Sequence, residues 1–435
     1  MERRVRIRWI KRNIQVKVVH IPRRFTRNAW GGTETYILEI AKRLPNYGIE
    51  SEIICPCALD QPGEELIDGV RVQRFPYFYP YLGLDRKSKA KLDQKGGNLF
   101  SFQILKTLKS RKELDLIHLH TAKRLGSIGR HVAKIRGIPY VVTLHGGVAA
   151  IPDSEQKTYT EPTRGAWEWG RALGYWFGSR SVLADADTIM CVDRQEVDIL
   201  PNDPTIAAAI AGHGKPYIRY RPGGVDVQRF GAGIGQRFRS RYGIVDDEPL
   251  ILNVGRIDSQ KNQLFAVEML HRLRLQNNRG KLVLIGPTTN GDYQEQLLQK
   301  INETGLGDHV ILTGGIAPDD ETLVDAYAAA DCFLLCSKHE PFGLVVLEAW
   351  SARVPVVLAS HGGPLGFTNH GVDSLHYEPT DIDACVACVN ELLNDTDKRQ
   401  RITETAFKTA QTQFDWNRIA EEIATVYKQL AGICI

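Results

Sequence analysis

The sequence predicts an α/β protein with two doubly wound parallel sheets, and three observations support this fold class. Short β-branched runs alternate with helical segments along most of the chain, which is typical of right-handed βαβ units. Several of these runs are apolar at nearly every position, as a strand covered on both faces requires. The length of 435 residues fits two domains of roughly 100–200 residues each.

The predicted elements form two series of strands with helices between them. The strands of the first series are Val16–His20, Ser51–Cys55, Val70–Phe75, Asp115–His120, Tyr140–Leu144, Thr188–Val192 and Tyr217–Tyr220. Those of the second are Leu250–Val254, Lys281–Ile285, Val310–Thr313, Cys332–Cys336 and Val354–Leu358. The clearest helices are Glu34–Leu44, Gln263–Leu275, Asp319–Ala329 and Gly343–Ala352.

The two series are separated at Arg221–Gly235, where one proline and five glycines cluster, so we predict domains at residues 1–222 and 223–412. Two further segments of the first half look inserted. Tyr77–Asn98 is aromatic and then basic, and Ala149–Arg180 is rich in Trp and Gly. Long inserts often bind ligands, so we assign both to the ligand of the first domain, with surface loops around packed aromatics as the alternative.

Composition narrows the function classes. The chain is 24% charged and 43% hydrophobic, which is globular, and its net charge of +4 is too small for a protein that coats nucleic acid. The longest apolar runs are strand-sized, whereas a membrane span needs roughly 20 residues. Met1–Arg12 is basic without an apolar stretch after it, so no secretory signal is expected. We interpret it as a disordered arm in preference to a weak membrane anchor.

The eight cysteines indicate a reduced, cytoplasmic chain, because most lie in apolar strand-like or helix-like stretches. Cys385 and Cys388 form a lone C-x-x-C within the helical pattern Asp381–Leu393. Buried thiols are favoured there over a zinc or redox site, since no second pair follows. Asp185 and Asp187 are spaced like a metal-binding pair under a diphosphate, but a structural role at a helix end and strand start is favoured.

The strongest chemical signal is the segment Glu340–Glu348, in which Pro341 and Gly343 shape a loop before a helix. The N–H groups at a helix N-terminus bind anions, phosphates above all. Glu348 lies about one and a half turns inside that helix, where it is placed to accept hydrogen bonds from ribose hydroxyls. Glu340 precedes the turn and is placed to hold hydroxyls of a second sugar.

Two cations accompany this segment. Arg256 and Lys261 follow the strand Leu250–Val254, at the edge where open α/β sheets bind ligands, so together they could neutralise a diphosphate. In the first half, Gly31 and Gly32 follow a strand and let the backbone approach a phosphate or sugar closely. His145 follows Tyr140–Leu144 at the same edge, and would face a cleft between two domains.

These residues resemble a known family. Over nearly its whole length the chain looks like a retaining GT-B glycosyltransferase of the glycosyltransferase family 4 type, which has two Rossmann-like domains facing across a cleft. The residues that carry the resemblance are Gly31, Gly32, Glu34, His145, Gly224, Asp226, Arg256, Lys261, Glu340, Glu348, Gly362 and Gly363. The resemblance also implies that residues 413–435, with the helix Trp416–Leu430, pack back on the first domain.

The resemblance implies a role for each site residue. Arg256 and Lys261 would hold the diphosphate of a nucleotide-sugar without a metal or other cofactor, and the backbone of Phe342, Gly343 and Leu344 would contact the diphosphate or the sugar. Glu340 would orient the sugar and Glu348 the ribose. Gly31 and Gly32 would close over the phosphates, and His145 would lie near the reacting sugar. Such hexosyltransferases retain the anomeric configuration, with front-face attack the usual explanation.

One feature departs from the family pattern, and the acceptor stays open. No acid follows Gly362-Gly363 before Asp373, which puts the usual contact of that loop in doubt. UDP is the default donor nucleotide, with GDP next. The acceptor is a saccharide or a lipid-linked molecule, in polysaccharide, glycolipid or other glycoconjugate synthesis. The aromatic and basic Tyr77–Asn98 segment suits a lipid-diphosphate-linked or other anionic acceptor at a membrane surface, with peripheral membrane contact. The alternatives are an epimerase or phosphorylase of the same fold and a non-catalytic carbohydrate-binding protein.

Overall fold

A computed structural model describes residues 16–146, 161–276 and 279–433. The strands are β1 (Val16–Ile21), β2 (Ile49–Pro56), β3 (Gly63–Ile67), β4 (Val70–Phe75), β5 (Tyr81–Leu82), β6 (Leu116–Leu119), β7 (Tyr140–Leu144), β8 (Trp167–Glu168), β9 (Thr188–Cys191), β10 (Tyr217–Tyr220), β11 (Leu250–Val254), β12 (Lys281–Ile285), β13 (Val310–Gly314), β14 (Cys332–Leu335), β15 (Val356–Ala359) and β16 (Leu375–Tyr377).

The helices lie between these strands and at the C-terminal end. They are α1 (Gly32–Ala41), α2 (Arg86–Lys95), α3 (Phe102–Ser110), α4 (Arg124–Arg136), α5 (Arg171–Phe177), α6 (Arg194–Ile199), α7 (Pro204–His213), α8 (Val227–Gly231), α9 (Gly235–Tyr242), α10 (Gln263–Leu275), α11 (Gly291–Glu303), α12 (Glu321–Ala329), α13 (Leu344–Ser351), α14 (Ile382–Asn394), α15 (Thr396–Gln413) and α16 (Trp416–Leu430).

Two sheets organise the molecule and confirm the predicted fold class. The first has the order β10-β9-β7-β6-β1-β2-β4-β3 and is parallel except for β3, which runs antiparallel to β4. The second has the order β13-β12-β11-β14-β15-β16 and is parallel throughout. In both sheets the order reverses beside the first strand of the domain, which is where open α/β sheets bind ligands.

The sequence missed three kinds of element. The strands β3 and β16 were not predicted, because β3 is a mostly exposed edge strand and β16 has only three residues. The antiparallel pair of β5 and β8 joins the two inserted segments, and no local pattern shows such a pairing. The predicted linker Arg221–Gly235 contains the short helix α8, which the Asp226 side chain caps by accepting from the Arg229 N–H at 3.0 Å.

The chain crosses between the two sheets twice, and the crossings bond to each other. The Val225 N–H donates to the Phe414 carbonyl at 2.7 Å, and the Trp416 N–H donates back to the Val225 carbonyl at 3.2 Å. Helix α16 then lies on the first domain, where Trp416 packs edge-on against Tyr36 with ring centroids 5.8 Å apart. The Tyr47 hydroxyl donates to the carbonyl of Asn417 at 2.9 Å.

Several expectations concern segments that lie wholly or partly outside the described residues. The basic arm Met1–Arg12 and Cys434 lie outside the described residues. The insert Ala149–Arg180 is described only from residue 161. The seven described cysteines are all free thiols, and Cys385 is fully buried in α14. Within the described ranges, none of the helices combines the length and the apolar character needed to cross a bilayer.

Candidate active site

The loop after β11 carries Arg256 and Lys261, and an aspartate gives it its shape. The Asp258 carboxylate accepts from the backbone N–H groups of Gln260 and Lys261, both at 3.1 Å. Its second oxygen accepts from the Thr289 hydroxyl at 3.1 Å. Sequence reasoning missed Asp258, although an Asp two residues before a loop donor is a recognisable turn signal. The result is a fixed loop that presents both cations at the carboxyl edge of the second sheet.

Lys261 contacts Glu340 directly. Its Nζ donates to Glu340 Oε2 at 2.6 Å, and the Ser337 hydroxyl lies 3.3 Å from the same oxygen. Both charged side chains are largely buried. The sequence predicted separate contacts to ligand for these two residues and did not predict that they pair with each other. Arg256 is more open, with Gln260 Oε1 at 3.1 Å and Asp258 Oδ2 at 3.4 Å.

The turn from Glu340 to Gly343 rests on the glycine pair that follows β15. The Gly363 N–H donates to the Glu340 carbonyl at 2.8 Å, and a Cβ at Gly363 would lie 1.9 Å from the Pro341 carbonyl oxygen. Gly343 has a φ of +93° and precedes α13 as its N-cap. The Phe342 ring packs into the core against Phe367, with centroids 5.0 Å apart, so only its backbone faces the turn.

The acid that the family pattern places after Gly362-Gly363 has no counterpart near the turn. Asp373, the next acid in the chain, accepts from the Asn369 N–H at 2.8 Å and from the Ser374 hydroxyl at 3.0 Å. Asp373 therefore stabilises the loop between Asn369 and Ser374 through these hydrogen bonds. The glycine pair supports the Glu340 turn through its backbone, which is a structural task that needs no acid.

Glu348 is the fifth residue of α13, just past its first turn, and is held by Tyr327. The Tyr327 hydroxyl donates to Glu348 Oε2 at 2.6 Å. Burial raises the pKa of Glu348, and the Tyr327 hydrogen bond opposes that rise. Sequence reasoning missed Tyr327, because only the packing of α12 against the second sheet brings it to Glu348.

The first domain meets this turn at two glycines. A Cβ built on Gly32 would lie 3.5 Å from Leu344 Cδ1, and one on Gly146 would lie 2.3 Å from Pro341 Cβ. The carboxyl edges of the two sheets therefore face each other, with Gly32 opposite the start of α13 and His145 beside the Glu340 turn. Gly31 lies against Glu34, where a Cβ would come within 3.3 Å of the carboxylate.

Histidines end three neighbouring strands of the first sheet. His145 Nε2 lies 2.9 Å from His120 Nδ1, and His120 Nε2 lies 3.1 Å from His20 Nδ1. His118 stands beside them and bonds to Thr143 at 2.6 Å and to the Tyr427 hydroxyl of α16. Sequence reasoning found only His145. The others could have been found from their positions at the carboxyl ends of strands that a parallel sheet places side by side.

Burial favours the neutral form of these imidazoles. Burial lowers the pKa of His20 and of His145 to about 3, and burial with the neighbouring imidazoles lowers the pKa of His118 and His120 well below the usual value. In the described part of the chain, His20, His118 and His120 form the one cluster of potential metal ligands. Of its six ring nitrogens only His20 Nε2 lacks a hydrogen bond, so the other five already have partners within the protein.

Asp185 and Asp187 are structural, as the sequence favoured. Asp185 is paired with Arg130 and with Lys134, whose Nζ lies 2.6 Å away. Asp187 accepts from the Tyr140 N–H at 2.9 Å and pairs with Lys215. Their partners belong to α4, β7 and the loop before β10, so both carboxylates hold elements together.

The aromatic and basic insert Tyr77–Asn98 is bonded near its end to the loop that follows β1. Arg23 and Arg24, which follow β1, donate to carbonyls at the end of α2: Arg23 to Asp93 at 2.6 Å and Arg24 to Gln94 at 2.9 Å. Arg24 also pairs with Glu34 of α1 at 3.3 Å. The insert is thus tied to the helix that starts at Gly32.

Comparison with known proteins identifies the family. Residues 236–409 match the family described as glycosyl transferases group 1, and residues 31–205 match the glycosyl transferase 4-like domain. The chain is 30% identical over 414 residues to the D-inositol 3-phosphate glycosyltransferase of Thermobispora bispora, covering 92% of this chain and 90% of that protein. The chain belongs to the group 1 glycosyltransferases.

Solved structures confirm the GT-B fold of this group 1 glycosyltransferase. Sucrose-phosphate synthase from Thermosynechococcus elongatus matches with a TM-score of 0.71 at 20% identity, covering 96% of this chain and 100% of that one. Anabaena HepE, solved in complex with UDP and glucose, matches with a TM-score of 0.68 at 19% identity, covering 95% and 99%. The resemblance seen in the sequence is therefore confirmed at the level of family and fold.

Proposed function

We propose that the chain is a retaining, metal-independent hexosyltransferase whose second domain binds a UDP-sugar. The observation that carries the proposal is the convergence of Arg256, the Lys261–Glu340 pair and Glu348 on one edge of the second sheet. The cations would take the diphosphate, and the start of α13 would add backbone N–H groups. With Oε2 of Glu348 bonded to Tyr327, its Oε1 is left for a ribose hydroxyl.

The same contacts support retention without a metal. Glu340 is held by Lys261 and Ser337, so it acts as a fixed acceptor that orients sugar hydroxyls instead of a nucleophile. A phosphate of the ligand near Lys261 would contact the ammonium group that also pairs with Glu340, and it would face Arg256 as well. The two cations would then stabilise the negative charge that builds on the leaving diphosphate. We infer front-face attack, in which the leaving phosphate accepts the proton of the acceptor hydroxyl.

A thermal-shift panel with UDP, GDP, ADP and their glucose and mannose conjugates tests the donor assignment. A ligand that binds only the native state raises the melting temperature by mass action. We expect UDP and its conjugates to give the largest shift, and the same shift in EDTA, because side chains supply the positive charge. No shift with any nucleotide would favour the carbohydrate-binding alternative, and a shift that EDTA removes would contradict metal independence.

We propose a lipid-linked acceptor reached at the inner face of a membrane, with the chain cytoplasmic. An exposed apolar surface supports this, made of the aromatic residues Phe102, Trp167 and Trp169 and of Leu82. Leu82 and Trp167 are cross-strand neighbours and 60% and 66% exposed. Trp169 and Phe102 both stack on Phe78, with ring centroids 5.8 and 5.6 Å from that of Phe78. Exposed Lys and Arg of α2 follow Leu82 within the same insert.

We expect Trp167→Ser to lower binding to vesicles containing phosphatidylglycerol at least about threefold, since it removes an aromatic anchor from a surface with basic neighbours. Co-sedimentation at two salt concentrations measures this. Leu275→Ser is the matched control, because Leu275 is equally exposed on the second domain. Equal binding by both variants, or equal binding of the wild type to vesicles of phosphatidylcholine alone, would contradict membrane contact.

A further inference from the structure

The histidines His20, His120 and His145 form one hydrogen-bonded row that runs from the interior of the first sheet to the cleft. β1, β6 and β7 are neighbours, and their register places His20 opposite His118 and leaves His120 just beyond it. His120 bonds to His145 on one side and to His20 on the other. His145 turns Nε2 inward, so Nδ1 is its nitrogen left for a ligand.

A row of three neutral imidazoles has only two fully bonded proton arrangements. Each ring carries one N–H, and each contact needs one donor and one acceptor. Either all three protons are on Nδ1, with His20 donating to His120 and His120 donating to His145, or all three are on Nε2, with the donations reversed. The state of the innermost nitrogen, His20 Nε2, therefore determines what His145 presents at the cleft.

His20 Nε2 decides between the two arrangements. It is buried and has no hydrogen-bond partner, so it is an unpartnered acceptor in the first arrangement and an unpartnered N–H in the second. Among buried backbone groups an N–H without a partner is rarer than an acceptor without one, and we apply the same order to the imidazole nitrogens. We propose that His20 and His120 are positioning residues that keep the proton of His145 on Nδ1, so that His145 offers an N–H donor to the cleft.

The chemistry at the cleft needs a donor at this place. Gly146 lies against Pro341, so His145 stands beside the turn that carries Glu340. Negative charge grows on the leaving diphosphate as the sugar departs, and a fixed N–H stabilises such charge or holds a sugar oxygen, whereas a bare nitrogen opposes it. Because burial keeps the pKa of His145 at about 3, the ring supplies this donor without becoming charged. This catalytic meaning rests on the proposed function, and the tautomer itself does not.

Nitrogen NMR of the full chain labelled with 15N-histidine tests the tautomer directly at neutral pH. The protonated and bare ring nitrogens have distinct shifts, and single His→Gln variants assign the signals. We expect the proton on Nδ1 in His20, His120 and His145. A proton on Nε2 of His145 would overturn the proposal whether or not the chain transfers sugar, which keeps this test separate from the donor assignment.

A pair of variants at His120 tests the positioning role. In His120→Asn the amide N–H can replace the Nδ1 donor, whereas His120→Leu has none. With UDP release from UDP-glucose as the assay, we expect kcat within about threefold of wild type for the Asn variant and at least about tenfold lower for the Leu variant, at similar KM. Equal kcat in the two variants, with both folded, would contradict the role.

Discussion

Replacing Lys261 with alanine is expected to lower kcat for UDP release from UDP-glucose at least about tenfold, because it removes a fixed positive charge beside the leaving diphosphate. The same change leaves the largely buried Glu340 without its 2.6 Å partner. Removing one member of a buried pair costs about 3–5 kcal/mol when burial is complete, so a smaller loss of folding free energy is expected here. Steady-state kinetics and thermal melting measure the two effects separately.

A second variant separates the loss of charge from the loss of stability. In Lys261→Met/Glu340→Gln neither side chain is charged, so the melting temperature should recover towards wild type while turnover stays low. Lys338→Ala is the matched control, because Lys338 is exposed one residue beyond Ser337 and loses the same charge. Recovered turnover in the double variant would show that Lys261 serves only to neutralise Glu340.

The fold class could be predicted from the sequence because the pattern of apolar residues within each segment indicates a strand or a helix. A strand buried on both faces must be apolar at nearly every position, so β11, β12 and β7 were predicted with the bounds that the structure shows. The bounds of α10 and α16 were also predicted. β3 was missed because its edge position leaves it polar, and polar residues do not distinguish a strand from a loop.

The sequence predicted those residues of the candidate site whose charge alone suggests a role in binding a ligand. Four charged residues lie in the loops that follow two neighbouring strands or in the helix after one of them, and the sheet brings them together: Arg256, Lys261, Glu340 and Glu348. The Lys261–Glu340 contact depends on the relative placement of two loops 79 residues apart, and Tyr327 reaches Glu348 through helix packing. Such contacts follow from tertiary structure, so the sequence names the participants without showing which of them pair.

A substitution at Gly146 tests how closely the two domains must approach each other for catalysis. Gly146 has a φ of +87°, and a Cβ there would lie 2.3 Å from Pro341 Cβ across the cleft. We expect Gly146→Ala to lower turnover at least about tenfold, because displacing reacting groups by roughly an ångström can cost a hundredfold in rate. UDP binding should change little, since most of its proposed contacts, those of Arg256, Lys261 and Glu348, lie in the second domain. Kinetics and UDP thermal shifts measure the two.

The backbone strain of this substitution needs its own control, and the chain supplies one. Gly137 also has a positive φ, of +65°, but a Cβ there meets no atom within 4 Å. Gly137→Ala therefore carries the cost of a left-handed alanine, about 1–2 kcal/mol, without the contact to the second domain. If both variants lose stability and only Gly146→Ala loses turnover, the close approach of His145 to the Glu340 turn is required for catalysis. Similar turnover in the two would mean that the cleft tolerates a wider separation, and the catalytic role of His145 would then have to be abandoned.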